Sequence, residues 1–125
     1  MTISGRSNSK KLTWSLGTGS LDVVLPATYT AASLSTQNGA EISGDPGASQ
    51  EYDFSIVLTV PVNDSVSELS RQIIVEDESG NVDTCVLTQT AGAPTLSVSK
   101  TSIELEYTGE AVSFDITSNT SWAIN

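Results

Sequence analysis

The stretch Tyr52-Asp53-Phe54-Ser55-Ile56-Val57-Leu58-Thr59-Val60 decides the fold. Large apolar side chains recur at every second position, with Asp53, Ser55 and Thr59 between them. Successive side chains of a strand point to opposite faces, so this pattern is a strand with one face in a core and the other mostly in water. Pro61 ends it, because proline cannot donate to a ladder. A polar loop from Asn63 to Ser70 follows, then two more strand patterns, Arg71 to Glu76 and Val82 to Gln89. Asp77-Glu78-Ser79-Gly80-Asn81 joins them. Glycine and asparagine tolerate the positive φ that tight turns require, so the pair reads as a β-hairpin.

Working back from residue 52, residues 35–50 carry Asn38-Gly39 and Gly44-Asp45-Pro46-Gly47 with few large apolar side chains, and read as a long connection. Tyr29 to Leu34 reads as one weak strand. Leu21 to Leu25 is a short apolar run ended by Pro26. Leu12, Trp14 and Leu16 alternate on one face of a strand. Residues 1–11 are polar and hold Arg6, Lys10 and Lys11 with no acid; they read as a flexible basic arm.

Working forward, Gly92-Ala93-Pro94 is a joint, after which the pattern restarts. Leu96 and Val98; Ile103, Leu105 and Tyr107; Val112, Phe114 and Ile116; and Trp122 and Ile124 suggest four further strands, with a turn at Thr108-Gly109-Glu110. Four short strands expose an apolar face that they cannot close alone. The expectation is an all-β chain: an arm over 1–11, an immunoglobulin-like β-sandwich over 12–92, and an incomplete second unit over 93–125.

The motifs of the second half resemble a known family. Leu96-Ser97-Val98-Ser99-Lys100-Thr101-Ser102-Ile103, Thr108-Gly109-Glu110, Val112 to Thr117 and Ser118-Asn119-Thr120-Ser121-Trp122 resemble the first half of a BACON domain. This is an immunoglobulin-like family frequent in proteins of gut Bacteroidetes and of their phages. Val60-Pro61-Val62-Asn63, Ser70-Arg71, Ile73 to Glu76 and Thr84 to Gly92 resemble the second half of such a domain. The resemblance covers roughly residues 60–125; residues 12–59 depart from it and lack the Ser-Trp motif. It implies tandem immunoglobulin-like domains, acting as spacers or as carbohydrate-binding modules.

Composition narrows the function classes. The chain has 125 residues and a net charge of −10, with 15 acids against five lysines and arginines. So acidic a body repels phosphate backbones and anionic membrane surfaces, so neither nucleic acid nor membrane is an expected partner. There is no histidine, which removes Ser-His-Asp and Cys-His catalysis and histidine-ligated metals. The single cysteine, Cys85, lies within a strand and reads as a packing residue. Glu76, Asp77, Glu78 and Asp83 surround the hairpin tip and read as a solvated turn in preference to a calcium loop, since their order does not match an EF-hand. No catalytic, cofactor or metal site is expected.

Two candidate sites remain. Tyr29, with Trp14, could offer a flat apolar platform to a sugar ring, whereas Tyr52, Tyr107 and Trp122 read as core. Arg6, Lys10 and Lys11 could dock on an acidic neighbour, including a second copy. Asn63-Asp64-Ser65 and Asn119-Thr120-Ser121 also match the glycosylation sequon, a pattern short enough to arise by chance.

The opening residues lack the apolar core of a secretory signal. The expectation is a protein whose signal has been removed, or one used without that export route, as in a virus assembled inside its host. The functional expectation is a non-enzymatic virion protein, a capsid or tail decoration or head fibre, that contacts other subunits and touches host or mucus glycans. The alternative is a carbohydrate-binding or spacer module of a bacterial surface or secreted protein.

Overall fold

The computed structural model describes residues 1–43 and 51–125. All regular structure in it is β, and every strand pairing is antiparallel. The chain divides into two units, residues 1–62 with 69–89, and residues 63–68 with 90–125. The first therefore takes in residues 1–11, and the second reaches back to claim 63–68 from the loop between the 52–60 strand and the hairpin.

Among the described residues the first unit holds seven strands: β1 (Thr2–Ser7), β2 (Leu12–Gly19), β3 (Thr28–Ala31), β4 (Leu34–Gln37), β5 (Tyr52–Val57), β6 (Leu69–Asp77) and β7 (Val82–Gln89). One sheet runs β1-β5-β3-β4 and the other β2-β6-β7. Their inner faces supply one core. Leu12, Trp14, Ile73 and Leu87 come from the three-stranded sheet, and Tyr29, Ala31, Tyr52 and Ile56 from the four-stranded one. Leu21, Val23, Ile42 and Leu58 fill in from the connections. This is a β-sandwich. The strand order differs from that of a constant-type immunoglobulin domain: β1 pairs with β5, β3 lies between β5 and β4, and β2 lies beside β6.

Three expectations are corrected. Residues 2–7 are not a flexible arm. They form edge strand β1, in register with β5 from Thr2↔Val57 to Ser7↔Tyr52, and Ile3 and Gly5 are half-buried beneath it. A polar strand is tolerated there because only alternate residues face inward, and Phe54 supplies the apolar bulk over Gly5. Tyr29 to Leu34 is not one strand but two, folded back through Ala32 and Ser33, whose φ values are +49° and +64°. The Asn-Gly signature of such a turn is absent, which hid it. Accordingly the long connection begins later than residue 35, and Thr36 of β4 is buried. The Gly44-to-Gly47 turn lies outside the described residues.

β2 ends in a bulge between Leu16 and Gly19. The Ser70 carbonyl accepts from both the Ser20 and Leu21 N–H groups, at 2.7 and 2.9 Å. A Cβ at position 19 would stand 2.1 Å from that carbonyl oxygen, and the φ of +144° also demands glycine. Arg71 locks the bulge by donating to the carbonyls of Leu21 and Gly17.

In the second unit, β8 (Leu96–Val98) pairs with β9 (Ile116–Ser118). Four strands were expected, and two form. Side-chain contacts carry the ladder one step further, with Asp115 N–H donating to Ser99 Oγ and Lys100 Nζ to the Ser113 carbonyl. Asn119 ties the unit together: its Nδ2 donates to the carbonyls of Asp64 and Ala93, and its Oδ1 accepts from Thr95 N–H. Asn63 does the same for Ser67 and Thr90. Both sequon asparagines are thus structural bridges.

Candidate functional site

The two lateral sides of the sandwich are finished differently. Beside β4 and β2, residues 38–42 seal the gap. Asn38 bonds the Trp14 backbone, Gly39 N–H donates to the Leu12 carbonyl, and Ile42 N–H to the Lys10 carbonyl. On the opposite side the edges are β1 and β7, and among the described residues no hydrogen bond joins them. A cleft of about 300 Å³ opens there. Ile3 and Gly5 of β1 and Cys85 of β7 line its walls, over a floor of Trp14, Phe54, Ile73 and Val75. Ser4, Arg6, Asp83 and Thr84 form the rim. Toward the hairpin tip it continues into a second hollow, bounded by Leu12, Asp77, Asn81 and Val82.

Trp14 contributes to this floor. It is 3% exposed and meets Tyr29 and Phe54 edge-on, at ring-centroid distances of 6.1 and 5.6 Å. Its indole Nε1 is buried, with no hydrogen-bond partner among the described residues. Buried N–H groups are nearly always paired, so this one stands out.

Neither expected site survives in its original form. Tyr29, at 3% exposure, and Trp14 are core residues that cannot stack on a sugar in solution. Tyr29 looked free because its strand is only four residues long, too short to show an apolar stripe. Of the aromatics expected inside, Tyr52 is buried, but Tyr107 is 99% and Trp122 51% exposed. In the docking arm, Arg6 pairs with the chain's own Glu51 and Asp53 at 3.2 and 3.4 Å. Lys10 offers its backbone N–H to Glu78, and the Lys11 backbone forms an isolated antiparallel β-bridge with that of Glu41. All three sit on or beside the folded sandwich. Deleting residues 1–11 would remove a strand, not an anchor.

Compared with protein-family models, curated proteins and solved structures, the chain matches none.

At the hairpin tip, Asp77 accepts from the N–H groups of Ser79 and Asn81 and from Asn81 Nδ2. Those bonds, led by the Asn81 side chain, hold its carboxyl below the ordinary 3.8. Its oxygens are engaged in shaping the turn. Cys85 is half-buried in the cleft wall.

The second unit contributes a different surface. Val112, Phe114, Ile116, Trp122 and Ile124 surround one concavity of about 350 Å³. Phe114 is 46% and Ile124 76% exposed. Sequence reasoning expected an unclosed apolar face here, built from four strands, of which two form. It missed the β1–β7 cleft, because no local pattern in residues 3–6 or 83–85 signals that two distant strands lie side by side.

Proposed function

We propose that this chain is a non-enzymatic structural and interaction module, a subunit of a larger assembly. The observation that carries this reading is the exposed apolar concavity of the second unit, Val112 to Ile124. Contiguous apolar surface of this kind marks a contact site, since leaving it in water forgoes roughly 25 cal/mol per Å². The first unit is a separate β-sandwich with its own core. The assembly best suited is a phage virion, with the chain as a capsid or tail decoration or head fibre. The immunoglobulin-like, BACON-like character belongs to the same reading. It is supported by the antiparallel strands of the sandwich and the Ser118-to-Trp122 motif, with the strand order β1-β5-β3-β4 as a departure. Protein subunits, including further copies, are the partners.

The alternative is a module of a bacterial surface or secreted protein. The burial of Tyr29 and Trp14 turns that alternative from carbohydrate binding toward a spacer, which the division of the chain into two β-units favours.

An antibody raised against the chain, applied to purified phage particles and to envelope and secreted fractions of the source culture, separates the two. Signal in particles supports the virion reading, and signal in envelope or medium supports the alternative. Signal confined to the cytosol overturns both. In parallel, Phe114→Ser should lower incorporation into whichever assembly holds the chain; unchanged incorporation would remove the concavity from the reading.

A further inference from the structure

We propose that the free edge of β7 pairs antiparallel with β7 of a second copy of this chain, joining the two three-stranded sheets across a two-fold axis at Cys85. The direction of the β7 backbone carries the argument. At the hairpin the Asp77 N–H donates to the Asn81 carbonyl, which makes that pair a hydrogen-bonded one. Hydrogen-bonded and non-hydrogen-bonded pairs alternate along an antiparallel ladder. From Glu76↔Val82 to Leu69↔Gln89 the register runs without a break, so Asp83, Cys85, Leu87 and Gln89 bond to β6. The far side of β6 agrees: the Ser70 carbonyl turns to Ser20 and Leu21, away from β7. Val82, Thr84, Val86 and Thr88 therefore aim their N–H and C=O groups outward, where β7 ends the sheet order β2-β6-β7. Among the described residues the one bond made there is local, from Thr84 N–H to the neighbouring Asp83 carboxylate at 2.8 Å.

Folded proteins protect such edges with lysine, proline, a bulge or shortness. The other three edges of the sandwich are guarded. Asn38 brackets β2, β4 has four residues, and Arg6 of β1 holds two ion pairs. β7 has eight residues, no lysine, proline or bulge, and a single charge, Asp83. Val82 and Val86 stand 56% and 60% exposed on its outer face. On a chain of net charge −10, this edge is a nearly uncharged strip of β-branched residues. That selects an uncharged, β-branched strand as its partner over a cationic segment, and β7 itself is such a strand. The register follows. A two-fold at Cys85 sets Val82 opposite Thr88 of the second copy and Thr84 opposite Val86, each pair exchanging both N–H···O bonds. It sets Asp83 opposite Leu87, so like charges do not meet. A centre at Val86 would call on Thr90, whose carbonyl already accepts from Asn63.

This surface is separate from the second-unit concavity, and the test tells them apart. Sedimentation of the full, reduced chain between about 10 µM and 1 mM should show a monomer–dimer equilibrium, as expected of a contact below standard interface size. In the dimer, amide exchange should slow at Val82, Thr84, Val86 and Thr88. Cys85 is the chain's one cysteine, and the register brings it to about 4.5 Å, Cα to Cα, from its counterpart, within disulfide reach. Diamide, which takes up the hydrogens of both thiols, should therefore yield a covalent dimer. Val86→Pro removes an N–H that the fold does not use, and Val86→Lys adds a charge to the edge. Both should stay folded by circular dichroism and weaken dimerisation roughly tenfold or more, the worth of the two symmetry-related hydrogen bonds that proline removes. Phe114→Ser should leave dimerisation unchanged. A chain still monomeric at about 1 mM would overturn the proposal. So would dimerisation undiminished in both folded Val86 variants, or abolished by Phe114→Ser.

Discussion

The side chain of Asn38 brackets the backbone of Trp14: Oδ1 accepts from the Trp14 N–H at 2.7 Å, and Nδ2 donates to the Trp14 carbonyl at 2.9 Å. One amide thereby does what a neighbouring strand would do for an edge residue. Asn38→Ala strips both partners at once. Each lost partner of a part-buried group costs about 1 kcal/mol or more, so the variant should lose roughly 2–3 kcal/mol. Asn38→Asp, which keeps the acceptor and lacks the donor, should fall between. Urea midpoints at neutral pH check the order.

Gly5 faces Phe54 across the β1–β5 ladder, and a Cβ at position 5 would stand 2.6 Å from Phe54 Cζ. Gly5→Ala should push the ring off its contact with Trp14 and cost about 1–3 kcal/mol, in the range of overpacked cores. Adding Phe54→Leu should recover part of the loss, because the two substitutions share one space. Thermal melts of the single and double variants measure that non-additivity; strict additivity would place the ring elsewhere.

Ala32 and Ser33 hold positive φ without being glycine or asparagine, a conformation that costs about 1 kcal/mol per residue for ordinary side chains. Replacing them with the Asn-Gly pair that such turns prefer, Ala32→Asn with Ser33→Gly, should stabilise the first unit by about 1 kcal/mol. A higher denaturation midpoint with an unchanged slope is the expected observation.

Two acid–base predictions follow from groups at opposite ends of the pH scale. Asp77 has its carboxyl below the ordinary 3.8, chiefly through Asn81. Its stabilising effect is therefore complete above that value and disappears as pH falls through the folded-state pKa. Asp77→Asn should lower the urea midpoint at pH 6, and the gap to the parent chain should close toward about pH 2.

Tyr52 and Tyr29 behave in the opposite sense. Burial pushes both hydroxyls above 10; for Tyr52 the nearby Glu78 and Asp77 add to the effect, and hydrogen bonding opposes it in each. Their contribution to stability is complete below 10 and is lost as pH rises through the folded-state values. Phenolate absorbance of these two should therefore appear late in an alkaline titration and coincide with loss of β-sheet circular dichroism. Tyr52→Phe should soften that alkaline transition, and will also surrender the 2.6 Å bond to the Ser9 carbonyl.

The parts legible in the sequence were those whose signal is local. The 52–60 alternation and the β6–β7 hairpin declare themselves, because side-chain period and turn chemistry agree over a few residues. What was hidden depends on distant partners. Residues 2–7 carry one large apolar side chain and become a strand only because β5 offers Phe54 and Ile56 opposite them. Tyr29 and Trp14 look available until the two sheets close over them. In the second unit, alternation at 103–114 suggested strands that do not form. Periodicity describes a preference for burial, and those residues find no core to bury in.

Residues 63–68 belong with the second unit although β5 precedes them and β6 follows. The polypeptide consequently crosses between the units three times, where a bead-on-a-string arrangement would cross once. A protease cutting once in the joint near residue 90 would leave the loop from Asn63 to Glu68 still threaded from the sandwich, and still gripped by Asn119 through Asp64. The second unit is therefore discontinuous in sequence, and part of what completes it is supplied from within the span of the first.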